Sequence, residues 1–564
     1  MYLIKLFSGS FIWLMCAGLI LVSDCHRAMA EDEGESIDKA IAPFKEPKLV
    51  VVIAVDQLRR DRLLEAVDGG LKRLVDGGRR FANGSIAHAL TTTCPGHAVV
   101  MTGLNPESHG IPDNTFYDRL EGKVRYCVED DDAGARVLGG SLGRSPKNLQ
   151  ATTLGDWLKE ANGVSRVMSV SGKDRAAITM AGQAPDQVFW YDKTQGRFTS
   201  SGYYAPVLPE YVRRFNGTDP TADGFMRGFP SHWTHSEGRH RVDDFQGEDP
   251  RYGRVSGHPI RSGSFDAIAE QVYYSPFLDQ ATLELARLMI DEEQLGRGDE
   301  VDLLTISLSA TDTIGHLYGP RSAEAEDALV RLDQDLGRFM THLDETVGSD
   351  QYWLVITADH GVAELPEYTS TEGTLECPTE TGRLEPESLY LGLAWHIYSR
   401  FTWPFGHPES LVALDRGHLV VQEEGLERFD VSKAAVLDEL SRYLETYPEI
   451  ERVWSLDELQ DASDDMAIRI RKSWVEARSG DLFVQLKKGC LIDAIGTTHG
   501  SPYDYDLDIP ILFYGQGIAP GVVDGSAYSV DIAATLASYL NVMPDHKLDG
   551  VVLHLGPGIS VSVP

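Results

Sequence analysis

The 564-residue sequence reads as an α/β chain, a doubly wound and mostly parallel sheet with inserted capping segments. Apolar runs with almost no polar break recur along it, as strands covered by helices on both faces require. Between them lie stretches with apolar residues three and four apart, the period of one helix face. Three of the runs also stop at or shortly before an aspartate, at the carboxyl ends where such sheets collect ligands.

The first run is Leu49-Val-Val-Val-Ile-Ala-Val55, ending at Asp56. A helix opens near Thr93, since Pro95 suits a first helical turn and Ala98-Val-Val-Met101 continues behind it. The second run, Leu303-Leu-Thr-Ile-Ser-Leu308, precedes Asp312, and the third, Trp353-Leu-Val-Ile-Thr357, precedes Asp359. Between these two, Leu329, Leu332, Leu336, Phe339 and Leu343 mark a helix. The fourth run, Ile509-Pro-Ile-Leu-Phe-Tyr514, follows His499, and Ser529 with Asp531 opens a last helix through Asn541. Two stretches break the alternation: about 183–270, rich in Tyr, Trp, Phe, Gly and Pro, and about 364–495, with a helical pattern near 432–445. Both read as insertions capping a site within one catalytic domain over 49–564, preceded by a charged linker over 31–48.

Residues 1–30 read as a secretory signal peptide: Lys5, an apolar stretch from Phe11 to Val22, and an A-x-A site at Ala28-Met29-Ala30. Asp24, His26 and Arg27 end the stretch well short of the roughly 20 residues a membrane span needs. The expectation is a periplasmic or secreted protein, soluble once the signal is cleaved, and monomeric. Cys94, Cys127, Cys377 and Cys490 then face an oxidising compartment and allow two disulfides in any of three pairings. With no C-x-x-C among them, they argue against a thiolate zinc site. The 86 acidic and 51 basic side chains give a net charge of −35, which argues against a nucleic acid or an anionic membrane as partner.

Four motifs carry chemistry. Thr91-Thr-Thr-Cys-Pro-Gly-His97 sets a hydroxyl at a helix N-terminus, where free N–H groups attract an anion and Thr93 can be a cap or a nucleophile. Asp312-Thr-Ile-Gly-His316 spaces a carboxylate and an imidazole one helical turn apart. Thr357-Ala-Asp359-His360-Gly361 puts an adjacent pair at a strand end, with a glycine that permits a sharp turn, and Gly496-Thr-Thr-His499 adds another imidazole. A single strand-end aspartate is ordinarily a helix N-cap. Asp56, Asp312 and Asp359, each with histidines or hydroxyls nearby, point instead to a shared metal site, and carboxylate with imidazole suits zinc.

On these motifs the chain resembles the alkaline phosphatase superfamily, in particular its zinc-dependent branch with a threonine nucleophile. That branch includes the nucleotide pyrophosphatase/phosphodiesterases and the PafA and PhoK type of alkaline phosphatase. The resemblance runs from Asp56 to Asp549-Gly550. It implies two Zn²⁺, one held by Asp56, Asp359 and His360 and the other by Asp312, His316 and His499. Thr93 matches the nucleophile, which also reaches toward the first zinc, and Asn114 matches the amide that binds a phosphoryl oxygen. The implied reaction is a pair of in-line displacements through a phosphothreonine.

Ser171-Gly-Lys173-Asp-Arg175 bears on the substrate, because a monoester dianion needs donors where a diester carries a second substituent. Read as an extended segment, it would point Lys173 and Arg175 to the same side. In its setting, before Phe189-Trp-Tyr191 and Tyr203-Tyr204, it resembles the PafA/PhoK phosphomonoesterases, in which the matching pair contacts the phosphoryl group. Small-molecule phosphate monoesters are thus the expected substrates, with a nucleotide pyrophosphatase/phosphodiesterase as the alternative. A non-catalytic binding protein is disfavoured because every expected ligand and the nucleophile are present. A sulfatase would need C/S-x-P-x-R, and Cys94 is followed directly by Pro95 with no arginine after it.

Overall fold

The computed structural model describes residues 46–556 apart from 66–67, 237–242, 405 and 416–417. The expected signal peptide over 1–30, and the linker as far as residue 45, lie outside the described residues.

The main sheet has nine strands. In chain order they are β1 (Leu49–Val55), β2 (Arg79–Ser85), β3 (Val167–Ser171), β4 (Gln187–Asp192), β5 (Arg197–Thr199), β6 (Asp302–Leu308), β7 (Tyr352–Thr357), β8 (Leu512–Gly515) and β9 (Gly521–Tyr528). Across the sheet the order is β9-β2-β8-β7-β1-β6-β3-β4-β5. Pairings of β1 with β6 and β7, of β3 with β6 and β4, and of β2 with β9 are parallel. Those of β8 with β7 and β2, and of β4 with β5, are antiparallel. The sheet is therefore mostly parallel. Every residue of β1, β6 and β7 is buried, which is why these strands read as unbroken apolar runs.

Six helices matter to the site: α1 (Thr93–Thr102), α2 (Asp174–Ala181), α3 (Phe277–Glu293), α4 (Ala310–Tyr318), α5 (Ala323–Leu343) and α6 (Asp531–Tyr539). The periodic residues of α5 are all buried, and Ser322 caps its start by accepting the Ala325 N–H at 3.0 Å.

Three sequence expectations change here. The fourth apolar run is antiparallel to its neighbours and becomes regular strand only from Leu512; Ile509 N–H and Ile511 O already bond Gly84 O and Phe81 N–H, but Pro510 between them has no N–H to give to a ladder. The last helix starts at Asp531, and neither Ser529 nor Asp531 caps it; the Asp531 carboxylate accepts the N–H groups of Tyr528 and Val551 instead. Residues 187–199, within the first supposed insertion, supply β4 and β5 of the central sheet. The stretch 364–495 has an apolar core of its own, with Leu393, Ile397, Leu411, Val436, Leu440 and Ile450 at its centre. Its helix runs over Lys433–Leu444, and a Cys377–Cys490 disulfide joins its two ends.

Candidate active site

The register of the sheet assembles the site. Val55 lies opposite Leu308, Ala54 opposite Thr357, and Ser307 opposite Ser171, so β1, β6, β7 and β3 finish along one edge. Asp56 follows β1 directly, Asp359 lies two residues beyond β7, Asp312 stands in the first turn of α4, and Lys173 lies two residues beyond β3. Residues far apart in sequence thus meet because the strands before them end together.

Two triads form. His360 Nε2 is 3.5 Å from Asp56 Oδ1 and 3.1 Å from Asp359 Oδ2. Asp312 Oδ1 is 3.2 Å from His316 Nε2 and 3.5 Å from His499 Nε2. The rings of His360 and His499 stack with centroids 3.5 Å apart, so the triads adjoin. Each imidazole is turned by a backbone carbonyl at Nδ1: Gly361 O for His360 at 3.0 Å, Thr497 O for His316 at 2.8 Å, and Thr91 O for His499 at 2.7 Å. A carbonyl can only accept, so Nδ1 carries the proton and Nε2 presents a lone pair.

These atoms fit a metal. Asp56 Oδ1, Asp359 Oδ2 and His360 Nε2 are buried and make no hydrogen bond among the described residues, although they converge. Ligands about 2.0–2.1 Å from a tetrahedral zinc are about 3.3 Å apart, and the four distances above bracket that value. The electrostatics agree. Burial, with Asp312 and Asp359 alongside, pushes the Asp56 carboxyl up to about 6. Against burial, Asp359 and Asp56 raise His360 to about 9, while burial and His360 push His499 down to about 3. A dication at each triad would let all six groups take their ligand forms.

Thr93 is the first residue of α1 and almost fully buried, and its Oγ1 accepts from Arg175 Nη2 at 3.3 Å. Asn114 Oδ1 accepts the Cys94 N–H at 2.8 Å, from the residue next to Thr93, which makes Nδ2 the donor end of the amide. A Cys94–Cys127 disulfide ties the same turn to the loop behind Asn114, so neither cysteine is a metal ligand. Gly96 is glycine because a Cβ would stand 2.4 Å from the Asp359 carbonyl. Gly361 likewise has no positive φ; it accommodates the Tyr505 carbonyl, 2.2 Å from where a Cβ would be, rather than a sharp turn.

Lys173 and Arg175 are not on an extended segment. Lys173 is the N-cap of α2 and Arg175 lies in its first turn, yet both reach the site. Lys173 Nζ sits 2.5 Å from both Asp56 Oδ2 and Asp312 Oδ2, at the seam of the two triads. Arg175 is steadied by the Tyr126 hydroxyl at 3.4 Å, which donates to Asp174, which in turn accepts from Arg144. A cavity of about 540 Å³ beside this pair is lined by Tyr126, Arg144, Lys173, Arg175, Trp190 and Tyr273.

Three supporting residues escaped the sequence reading. Gln57 adopts a left-handed conformation (φ +71°), and from it the backbone N–H donates to Asp359 Oδ1 at 3.1 Å while Nε2 donates to Asp312 Oδ1 at 2.9 Å. His97 bonds Thr93 O and Ser307 Oγ, both at 2.9 Å, and its Nδ1 lies 3.1 Å from Asp359 Oδ2, so it buttresses the first triad from behind. Asp279 on α3 accepts the first N–H of α4 at 2.9 Å. His97 stands inside the quoted motif, whereas Gln57 and Asp279 carry no local signal.

Comparison with known proteins gives a consistent result. The family described as type I phosphodiesterase / nucleotide pyrophosphatase matches residues 50–494. Alkaline phosphatase PafA of Elizabethkingia meningoseptica is 32% identical over 511 residues, covering 88% of this chain and 92% of that protein. The crystal structure of wild-type PafA superposes with a TM-score of 0.83 at 30% identity, covering 91% of this chain and all of that one. A murine ectonucleotide pyrophosphatase/phosphodiesterase 5 shares the fold alone, with a TM-score of 0.52 at 14% identity over 89% of this chain and 97% of that one.

Proposed function

The chain belongs to the type I phosphodiesterase/nucleotide pyrophosphatase family, and from that premise we propose an exported, zinc-dependent alkaline phosphatase that hydrolyses phosphate monoesters through a phosphothreonine at Thr93. It is a phosphoric monoester hydrolase by its kinship over nearly the whole chain with alkaline phosphatases. The observation that carries the finer reading is the pairing of two ligand triads with two cations, buried Lys173 and half-buried Arg175, around one threonine hydroxyl.

In this reading the first triad is Asp56, Asp359 and His360, and the second is Asp312, His316 and His499. Zinc held by them would acidify the attacking hydroxyl and offset charge on the departing oxygen. The chain's own groups do the rest. Thr93 Oγ1 forms the new bond to phosphorus as the ester oxygen leaves, and water then cleaves the phosphothreonine and restores the hydroxyl. Arg175, Lys173 and the Asn114 amide donate to the non-bridging oxygens, where the charge of phosphoryl transfer spreads. A diester would set its second substituent against Lys173 and Arg175, which favours the monoesterase over the phosphodiesterase alternative. Two disulfides support an oxidising, extracytoplasmic compartment, and no helix among the described residues is long and apolar enough to cross a membrane.

The test is turnover of p-nitrophenyl phosphate by the purified protein before and after chelation. Loss of activity and its return with zinc support the proposal. Activity that survives complete removal of metal, or none under any metal, overturns it.

A further inference from the structure

A second set of ligand-type groups converges outside this site. A short ladder of His232–Trp233 with His258–Pro259 brings His258 near His235, and both face Glu324 in the first turn of α5. One donor atom from each of His235, His258 and Glu324 lies within 4.8 Å of the others. His258 Nε2 is 3.0 Å and His235 Nε2 3.7 Å from Glu324 Oε1, again on either side of the roughly 3.3 Å edge of a zinc tetrahedron. The His258 Nδ1 is 3.2 Å from Tyr252 O and 3.3 Å from the Tyr318 hydroxyl, which leaves Nε2 as the lone-pair side.

A simple His–Glu ion pair would account for one of these contacts and no more. Glu324 is fully buried, yet among the described residues its Oε2 has no hydrogen-bond partner, and His235 Nε2 has none either. Glu248 is 1% exposed with neither carboxyl oxygen hydrogen-bonded among the described residues, and it is near enough to Glu324 for the two carboxyls to repel. Buried polar atoms are rarely left so, and two buried carboxyls within electrostatic reach of each other, with two imidazoles, call for a cation.

We propose that His235, His258 and Glu324 form a structural site for a divalent transition cation, zinc in the first instance, with the Glu248 carboxylate nearby to balance its charge. The imidazoles disfavour calcium and magnesium. The ion would fasten the segments 232–236 and 243–260 onto the framework of the active site. Asp249 N–H donates to Leu317 O at 2.8 Å, at the end of the helix that carries His316, and Gly496 N–H donates to Gly247 O at 2.7 Å, just before Thr497 and His499.

The test is zinc stoichiometry of the purified full chain after exposure to excess zinc and desalting, read by mass spectrometry beside a thermal melt. Wild type should hold about one zinc per chain more than His235→Ala/His258→Ala, and should melt several degrees higher. Glu324→Gln, which keeps the volume, should lose the same single equivalent if the double variant does not fold. Equal zinc content in wild type and a folded variant overturns the site and leaves an ordinary ion pair.

Discussion

Arg175→Ala should lower kcat/KM for p-nitrophenyl phosphate far more than for bis-p-nitrophenyl phosphate. The guanidinium lies 3.3 Å from Thr93 Oγ1 and is braced by Tyr126, so it is poised for the oxygen that a monoester dianion has and a diester has replaced. A hydrogen bond to a charged group contributes about 1.5–3 kcal/mol, which is about 10- to 150-fold in rate. Lys173→Ala on top should extend the loss to about 10²–10⁴-fold on the monoester, less than additive if the two cations hold the same oxygen. The assay is a pair of kcat/KM measurements on matched monoester and diester, with zinc content measured for each variant, because Lys173 also touches Asp56 and Asp312. Equal losses on both substrates with zinc intact would refute the reasoning and reduce Arg175 to a strut for Thr93.

Other outcomes follow from the same geometry. Thr93→Ala should abolish turnover while zinc content stays at the wild-type level; normal turnover would remove Thr93 as the nucleophile. Burial pushes the Asp506 carboxyl up to about 6. A raised carboxyl holds its proton more tightly in the folded chain than in the unfolded one, so its contribution is complete below about pH 4 and lost as pH rises through 6, about 3 kcal/mol in all. Asp506→Asn keeps an acceptor for the Ser501 N–H, so the variant's melting temperature should gain on wild type between pH 4 and 7; a constant difference would mean that Asp506 titrates normally. The −35 net charge is an exposed field, whereas Lys173 and Arg175 act at short range. Raising salt from about 10 to 150 mM shortens the screening length from about 30 to 8 Å, removes the repulsion first, and should raise kcat/KM for a phosphate dianion. A fall would show that the pocket field governs capture.

The strands, and the three aspartates beside their carboxyl ends, were legible in the sequence for one reason. A parallel strand buried on both faces must be continuously apolar, and a side chain placed at its carboxyl end must follow that run within a few residues, as Asp56, Asp312 and Asp359 do. The antiparallel setting of β8 was not legible, since an apolar run has no direction. Nor was the turn at Lys173, because a strand-to-helix junction and an extended segment aim residues 173 and 175 alike. The same limit hid the group at His235, His258 and Glu324, which adjoin only after α5 packs under a two-residue ladder. Gln57 shows what governs the rest. A left-handed glutamine costs about 1 kcal/mol, and a glycine would avoid that cost. Glycine would also forfeit the side-chain bond to Asp312, while the backbone bond to Asp359 depends on the same twist. The strain is therefore offset by holding one carboxylate from each triad, directly after a third at Asp56. The spacing of the two triads is fixed by a residue that no periodicity selects, and Gln57→Gly should loosen it by releasing Asp312 alone.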